Sequence, residues 1–211
     1  VLSSAGRVQV VQTTDKIDVT FASVEEAVRI LHGVAHYTPV LISRQLDSLS
    51  SARVFLKCEN FQRVGAFKFR GAYHAIAQLM SLQPSRVFAT VSSGNHGQGL
   101  ALACRLQGAT AHVVMPKPFS VMKHHGVLGY GAQVHVVEDR SLADAKLREL
   151  VGDYQAVVVH PFNDPFVIAG QGTVMVEFVD QVADLDIVLA PVGGGGLLSG
   201  LCLAAQGLRP S

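Results

Sequence analysis

The chain has 211 residues, 49% hydrophobic and 16% charged, enough for one large domain or two smaller ones sharing a core. Its net charge of +1 comes from basic and acidic residues mixed along the sequence, so no basic stripe favours nucleic acid or an anionic membrane as a partner. Three cysteines, Cys58, Cys104 and Cys202, stand far apart with no Cys-x-x-Cys or Cys/His cluster, which favours reduced thiols in a cytoplasmic setting over a disulfide framework.

Residues 1–12 are mildly apolar but lack a basic start and a long apolar run, so they do not read as a signal peptide. Ser23-Val24-Glu25-Glu26 has the spacing of a capping box and Gly33 ends the apolar pattern, predicting a helix over 23–32. Thr38-Pro39 lays down extended chain, residues 53–58 alternate as a strand, and helical spacing covers 66–80 until Pro84 stops it. Strand signals then fall at 86–91, 111–115, 133–137, 156–160 and 186–190. Helical patterns separate them at 95–107, 121–128, 141–151 and 167–182, with Gly108 and Gly152 at two helix ends. Such alternation predicts parallel sheets with right-handed crossovers, and near-continuous apolar strands suit sheets covered on both faces. Residues 187–208 carry no charge and are long enough to span a bilayer. Pro191, six glycines and two periodicities instead predict a strand, a loop and a helix buried in protein. Residues 207–211, Gly-Leu-Arg-Pro-Ser, read as a helix exit with a turn to follow.

Three segments carry chemistry. In residues 65–72, Gly-Ala-Phe-Lys-Phe-Arg-Gly-Ala, Lys68 lies between Phe67 and Phe69 where a helical pattern begins. The lysine either snorkels over apolar surface or is an amine held partly out of water. In the second case burial and the positive end of the helix dipole lower its pKa, and a neutral amine can form a Schiff base with a carbonyl. Residues 92–98, Ser-Ser-Gly-Asn-His-Gly-Gln, follow a strand and open a helix. That place suits an anion on free backbone N–H groups, and equally suits a capped glycine-rich turn. Gly193, Gly194, Gly195 and Gly196 precede an apolar helix, and four glycines in a row are costly to order for a bare connector. A nest of N–H groups around a phosphate explains them, and no Gly-Lys-Ser/Thr follows to make a Walker loop. Nine histidines are present, yet His124-His125 diverge, His32 and His36 straddle Gly33, and no set has ligand spacing, so no metal site is expected. His160-Pro161-Phe162-Asn163-Asp164-Pro165 reads as a rigid structural turn.

These three segments, in this order and spacing, resemble the fold-type II pyridoxal-phosphate enzymes (the tryptophan synthase β-like class), and within them the serine/threonine dehydratase and serine racemase group. The likeness runs along most of the chain. It implies an α/β fold of two parallel-sheet, three-layer domains with the C-terminal part missing, because members of the group are longer. Residues 82–161 would form a small substrate-binding domain, and 1–81 with 162–211 a large cofactor-binding one. The implied cofactor is pyridoxal 5′-phosphate, held on Lys68 beside Phe67, with Asn95 on its phenolic oxygen and Gly193 to Gly196 on its phosphate. Ser92, Ser93, Gly94, Asn95 and His96 would grip the carboxylate of an amino-acid substrate. Lys68 would be the catalytic base, and Ser93 the second base of the racemases. The family's divalent-cation site would fall past Ser211.

Lys68-Phe69-Arg70 departs from the Lys-Asp/Glu-Arg of cysteine synthases and tryptophan synthase β chains. Ala66 stands where threonine dehydratases usually have serine, which moves the likeness toward the serine racemase and hydroxyaspartate dehydratase branch. The implied activity is an ammonia-lyase converting threonine- or serine-type hydroxy amino acids to 2-oxo acids and ammonia. Racemization and 3-hydroxyaspartate dehydration are the alternatives, and a homodimer is implied. A different class is a shortened, non-catalytic chain that binds phosphate or a partner.

Overall fold

The structure, a computed structural model, describes residues 18–209. The reading of residues 1–12 falls outside them, as do Pro210 and Ser211 of the expected exit turn. The first helix, α1 (Phe21–Leu31), starts earlier than expected: Thr20 takes the cap position and its N–H donates to Ser23 Oγ at 3.3 Å. Ser23 is thus the reciprocal member of the capping box and not its head. An antiparallel ladder joins β1 (Val40–Ile42) to β2 (Phe55–Lys57), with α2 (Arg44–Ser50) between them. The sequence reading missed α2 because it buries no residue and so has no apolar stripe.

From α3 (Lys68–Leu82) onward strands and helices alternate: β3 (Val87–Val91), α4 (Asn95–Leu106), β4 (Thr110–Pro116), α5 (Val121–Gly129), β5 (Gln133–Val137), α6 (Ala143–Tyr154), β6 (Val157–Val158), α7 (Pro165–Gln181) and α8 (Gly196–Leu208). The strands form one parallel sheet in the order β5-β4-β3-β6. Pleating sends Ala111, Val113 and Met115 of β4 to one face, where they pack with Leu100, Ala103 and Cys104 of α4 and with Ile76 and Leu79 of α3. Val114 points the other way, onto Ala143 and Leu150 of α6. Both faces are therefore covered, as the apolar strands require. Gly152 lies inside the last turn of α6, and the helix ends instead on Gln155 at φ 53°.

A second, mainly helical layer surrounds α7. Asp164 caps this helix by accepting from the N–H groups of Phe166 and Val167, and Pro165 stands at its first position. Helix α7 crosses its neighbours almost backbone to backbone: a Cβ on Gly170 would sit 2.6 Å from Gly71 Cα, and one on Gly172 2.8 Å from the Gly200 carbonyl. Residues 186–190, expected as a strand, form no strand and pair with nothing among the described residues. They keep the alternation of a strand, with Val188 and Ala190 on the helical core and Ile187 and Leu189 at 77% and 91% exposure. Alternation fixes the packed face only, while a strand also needs a neighbouring ladder. The parallel sheet within the described residues is therefore the one centred on β3 and β4. No helix among them is long and apolar enough to cross a membrane.

Candidate active site

Lys68 is the first residue of α3. A kink just before it, with Val64 at φ 57° and Gly65 at φ 70°, turns the chain into the helix. The amine donates to the Pro161 carbonyl at 2.6 Å and stands 5.4 Å from the Phe67 ring centre. Burial lowers its pKa from the ordinary lysine value, and no acidic partner offsets that. Phe67 packs among the helical core residues that include Val24, Val174 and Met175. Phe69 is fully buried and tilted against Tyr73.

Residues 92–98 leave the carboxyl end of β3 and wind directly into α4. Ser92 Oγ accepts from the N–H groups of Gly94 (3.2 Å) and Gly97 (3.0 Å), so its lone pairs serve the turn itself. Ser93 is exposed, Gly94 and Asn95 are half-buried, and neither the Ser93 nor the Asn95 side chain has a hydrogen-bond partner among the described residues. His96 is buried with Nε2 3.3 Å from the Val159 carbonyl, and its Nδ1 has no partner. Burial, then the charge of Lys68, pushes its pKa down to about 3, so the ring is neutral with an unused acceptor. The close approach of α4 to the lysine depends on Gly99, where a Cβ would stand 3.2 Å from the Lys68 carbonyl.

The glycine loop precedes α8, whose first turn has no side-chain cap. Gly195 has φ +87°, in the region L side chains rarely enter. A Cβ on Gly193 or Gly195 would meet nothing within 4 Å, so that side is open. On Gly194 it would come within 2.1 Å of the Phe162 ring, and on Gly196 within 2.7 Å of the Phe162 carbonyl. Phe162 closes one side of the loop, and Pro161 beside it holds the amine. The three segments picked out in the sequence thus meet around residues 159–162.

Residues 32–211 match the pyridoxal-phosphate dependent enzyme family. The chain belongs to that family. It is 40% identical over 196 residues to the L-threonine ammonia-lyase of Thermotoga maritima, covering 91% of this chain and 48% of the relative. The L-threo-3-hydroxyaspartate ammonia-lyase of Saccharomyces cerevisiae is also 40% identical, over 90% of this chain and 59% of its own length. The crystal structure of serine racemase from Dictyostelium discoideum superposes with a TM-score of 0.86 at 38% identity, over 91% of this chain and 63% of that one. The chain therefore spans roughly half to three fifths of these relatives.

The site fits the cofactor of this pyridoxal-phosphate dependent family. An uncapped helix start on an open glycine loop presents N–H groups to a phosphate, and the desolvated amine suits an aldehyde carbon. Among the described residues no group of three or more His, Cys, Asp or Glu is arranged to hold a metal ion.

Sequence reading missed the charged cluster that fixes the start of α3. Arg70 is fully buried and bridges two carboxylates, reaching Glu59 at 2.8 Å and Glu177 at 2.6 Å. It also donates to Thr173 Oγ1 and to the His36 carbonyl. Lys57 donates to Glu177 Oε2 at 2.7 Å, an oxygen that Arg70 also reaches at 2.9 Å, and to Gln181 and the Thr38 carbonyl. No local spacing links residues 57, 59, 70 and 177, so only the tertiary fold could reveal them. The roles of Phe162 and of the Pro161 carbonyl were equally invisible.

Proposed function

We propose that the chain carries the lysine, substrate turn and phosphate loop of an ammonia-lyase for threonine- and serine-type hydroxy amino acids, yielding a 2-oxo acid and ammonia. One observation carries this reading: Lys68 Nζ, partly out of water, is held on the Pro161 carbonyl between the two amide-lined segments. On this reading the cleft lies between a small unit, residues 82–161, and a larger one that includes 1–81 and 162–211. Lys68 Nζ is the atom that would hold the cofactor through its aldehyde carbon, and the same nitrogen would accept the proton of the substrate α-carbon. The N–H groups of Asn95 and His96, at the start of α4 and not consumed by Ser92, bind the substrate carboxylate. The Asn95 amide is free for the phenolic oxygen, while the N–H groups opening α8 bind the phosphate and the Phe162 ring, itself exposed, lies against one side of the loop. Pyridoxal phosphate, when bound, supplies the electron sink for the α-carbon.

The racemase alternative has its own support in Ser93. Its exposed hydroxyl, without a protein partner among the described residues, is available to exchange a proton from a second side. The test uses the full-length protein, which is incubated with pyridoxal phosphate and reduced with borohydride. We expect a yellow protein, a reduced adduct mapped to Lys68, and 2-oxo acid from threonine, serine or 3-hydroxyaspartate. A colourless protein refutes the reading. D-serine without 2-oxo acid transfers it to the racemase alternative.

A further inference from the structure

His160, read from sequence as part of a structural turn, has an unusual bonding pattern. Its Nδ1 accepts from two consecutive backbone N–H groups, Asn163 at 2.9 Å and Phe162 at 3.4 Å. Residue 161 is proline and offers no N–H, so these are the first two backbone donors that follow His160 in the chain. The Phe162 N–H belongs to the same peptide unit as the Pro161 carbonyl. In a trans peptide the two groups point in opposite directions within one plane. One edge of this plane is therefore bound to the imidazole, and the other accepts the Lys68 amine at 2.6 Å. The Phe162 ring packs edge-on to His160, with centroids 4.5 Å apart, and lies across Gly194 of the glycine loop.

Resting on the reading of the site proposed above, we infer that His160 is a positioning residue for Lys68. As a neutral imidazole it orients the Pro161–Phe162 peptide, so that the carbonyl receives the amine and the Phe162 ring packs against the glycine loop. Both bonds need the lone pair on Nδ1, which puts the proton on Nε2. A protonated ring would turn an N–H toward two N–H groups, freeing the peptide to rotate away from Lys68. His160 is itself exposed, yet partial desolvation, then the charges of Lys68 at the start of α3 and Arg140 before α6, lower its pKa. The ring of His96 at the start of α4 also feels His160. No carboxylate is among the groups that shape the titration of His160.

The test compares full-length wild type with His160→Leu, which removes the acceptor, and His160→Asn, whose side-chain oxygen accepts but does not titrate. Cofactor affinity is read from the near-visible absorbance of the bound group, and the rate of adduct formation on Lys68 is followed against pH. Wild-type affinity should fall as pH drops through the depressed pKa of His160. H160L should bind about tenfold more weakly at every pH, the size of one lost hydrogen bond. H160N should recover most of the affinity and lose that acid dependence. Equal behaviour of H160L and wild type overturns the inference, and so does an H160N as impaired as H160L. A cofactor-independent readout separates this from the site reading: ¹⁵N spectra of wild type should show the Nε2–H tautomer at neutral pH. The Phe162 and Asn163 amides should be protected from exchange, and that protection should be lost in H160L. A proton on Nδ1, or unprotected amides, refutes the positioning role whether or not cofactor binds. A wild type with these signatures that takes up no cofactor refutes the proposed function alone.

Discussion

Replacing Glu177 with glutamine tests whether the buried charges hold α3 in place. The side chains of Arg70 and Glu177 are 1% and 17% exposed, so solvent screens their contact little. Arg70 and Lys57 both bind this carboxylate, and the amide would leave two cations facing Glu59 alone. Breaking a buried pair on one side costs about 3–5 kcal/mol. The low end applies here, about 3 kcal/mol, because glutamine keeps one acceptor and Lys57 keeps Gln181 and the Thr38 carbonyl. At roughly 2–4 °C per kcal/mol for a chain of this size, the melting temperature should fall by about 6–12 °C. The sign of the pH dependence follows from the titration of Glu177. Burial alone raises its pKa, but hydrogen bonds and charge from Arg70, then Lys57, outweigh it and hold the carboxyl below the ordinary value. The folded pKa thus lies below the unfolded one. This stabilisation is full above the ordinary carboxylate range and is lost as pH falls through the depressed folded value. E177Q has nothing to titrate and should lack that part of the acid slope. Calorimetry from neutral to acid pH reads both quantities. An unchanged melting temperature at neutral pH, with an unchanged acid slope, would refute the argument.

Other outcomes follow from the same geometry. Lys68→Ala should fold normally by circular dichroism yet form neither a reducible adduct nor 2-oxo acid. In wild type, burial lowers the lysine pKa, so the rate of adduct formation should rise with pH and level off below the ordinary lysine range in stopped-flow absorbance. Gly194→Ala puts a Cβ where the Phe162 ring stands and, at about 1–3 kcal/mol for overpacking, should weaken cofactor binding by about 5- to 150-fold in a fluorescence titration. His74 and His96 are held neutral by burial, so their protonation favours the unfolded chain. Stability should therefore decline as pH falls below the ordinary histidine value, and His74→Phe should reduce that decline in a urea titration series.

Much of this fold could be read from local pattern, because β3 and β4 are buried on both faces and are mostly apolar, while the partly exposed edge strand β5 still carries Val134, Val136 and Val137. Their expected limits lie within a residue or so of the structure. The failures have distinct causes. Helix α2 carries no apolar stripe, α1 had two hydroxyl residues competing for its cap, and residues 186–190 have the alternation of a strand but no ladder. At the site, the lysine, the serine-glycine turn and the glycine run were each legible as short segments, since helix starts and tight turns leave local signatures. What joins them was not. The Pro161 carbonyl is a backbone atom, Phe162 acts by shape against two glycines, and Glu177 lies 107 residues from Arg70. Sequence distance hides such partners whenever nothing periodic connects them.

Helices α3, α4 and α8 all begin at the site, with Lys68 heading the first, residues 94–96 the second and Gly196 the third. Each helix start carries about half a positive charge from aligned peptides. A positive potential of that kind acts on a nearby amine in the same direction as the burial that lowers the Lys68 pKa, and among the described residues no lysine or arginine is bonded to the amine. Such a lysine is poised to be a neutral nucleophile while the helix starts are free. A phosphate at α8 and a carboxylate at α4 would cancel that positive potential and raise the amine pKa again. On the proposed reading of the site, the rise would come when the amine accepts and keeps a proton from the substrate. Arginines in the same places would bind the anions more tightly but would stay charged whatever the ligand state, with their own desolvation cost. On that proposal, backbone amides at helix starts would let the ligands themselves set the strength of the base.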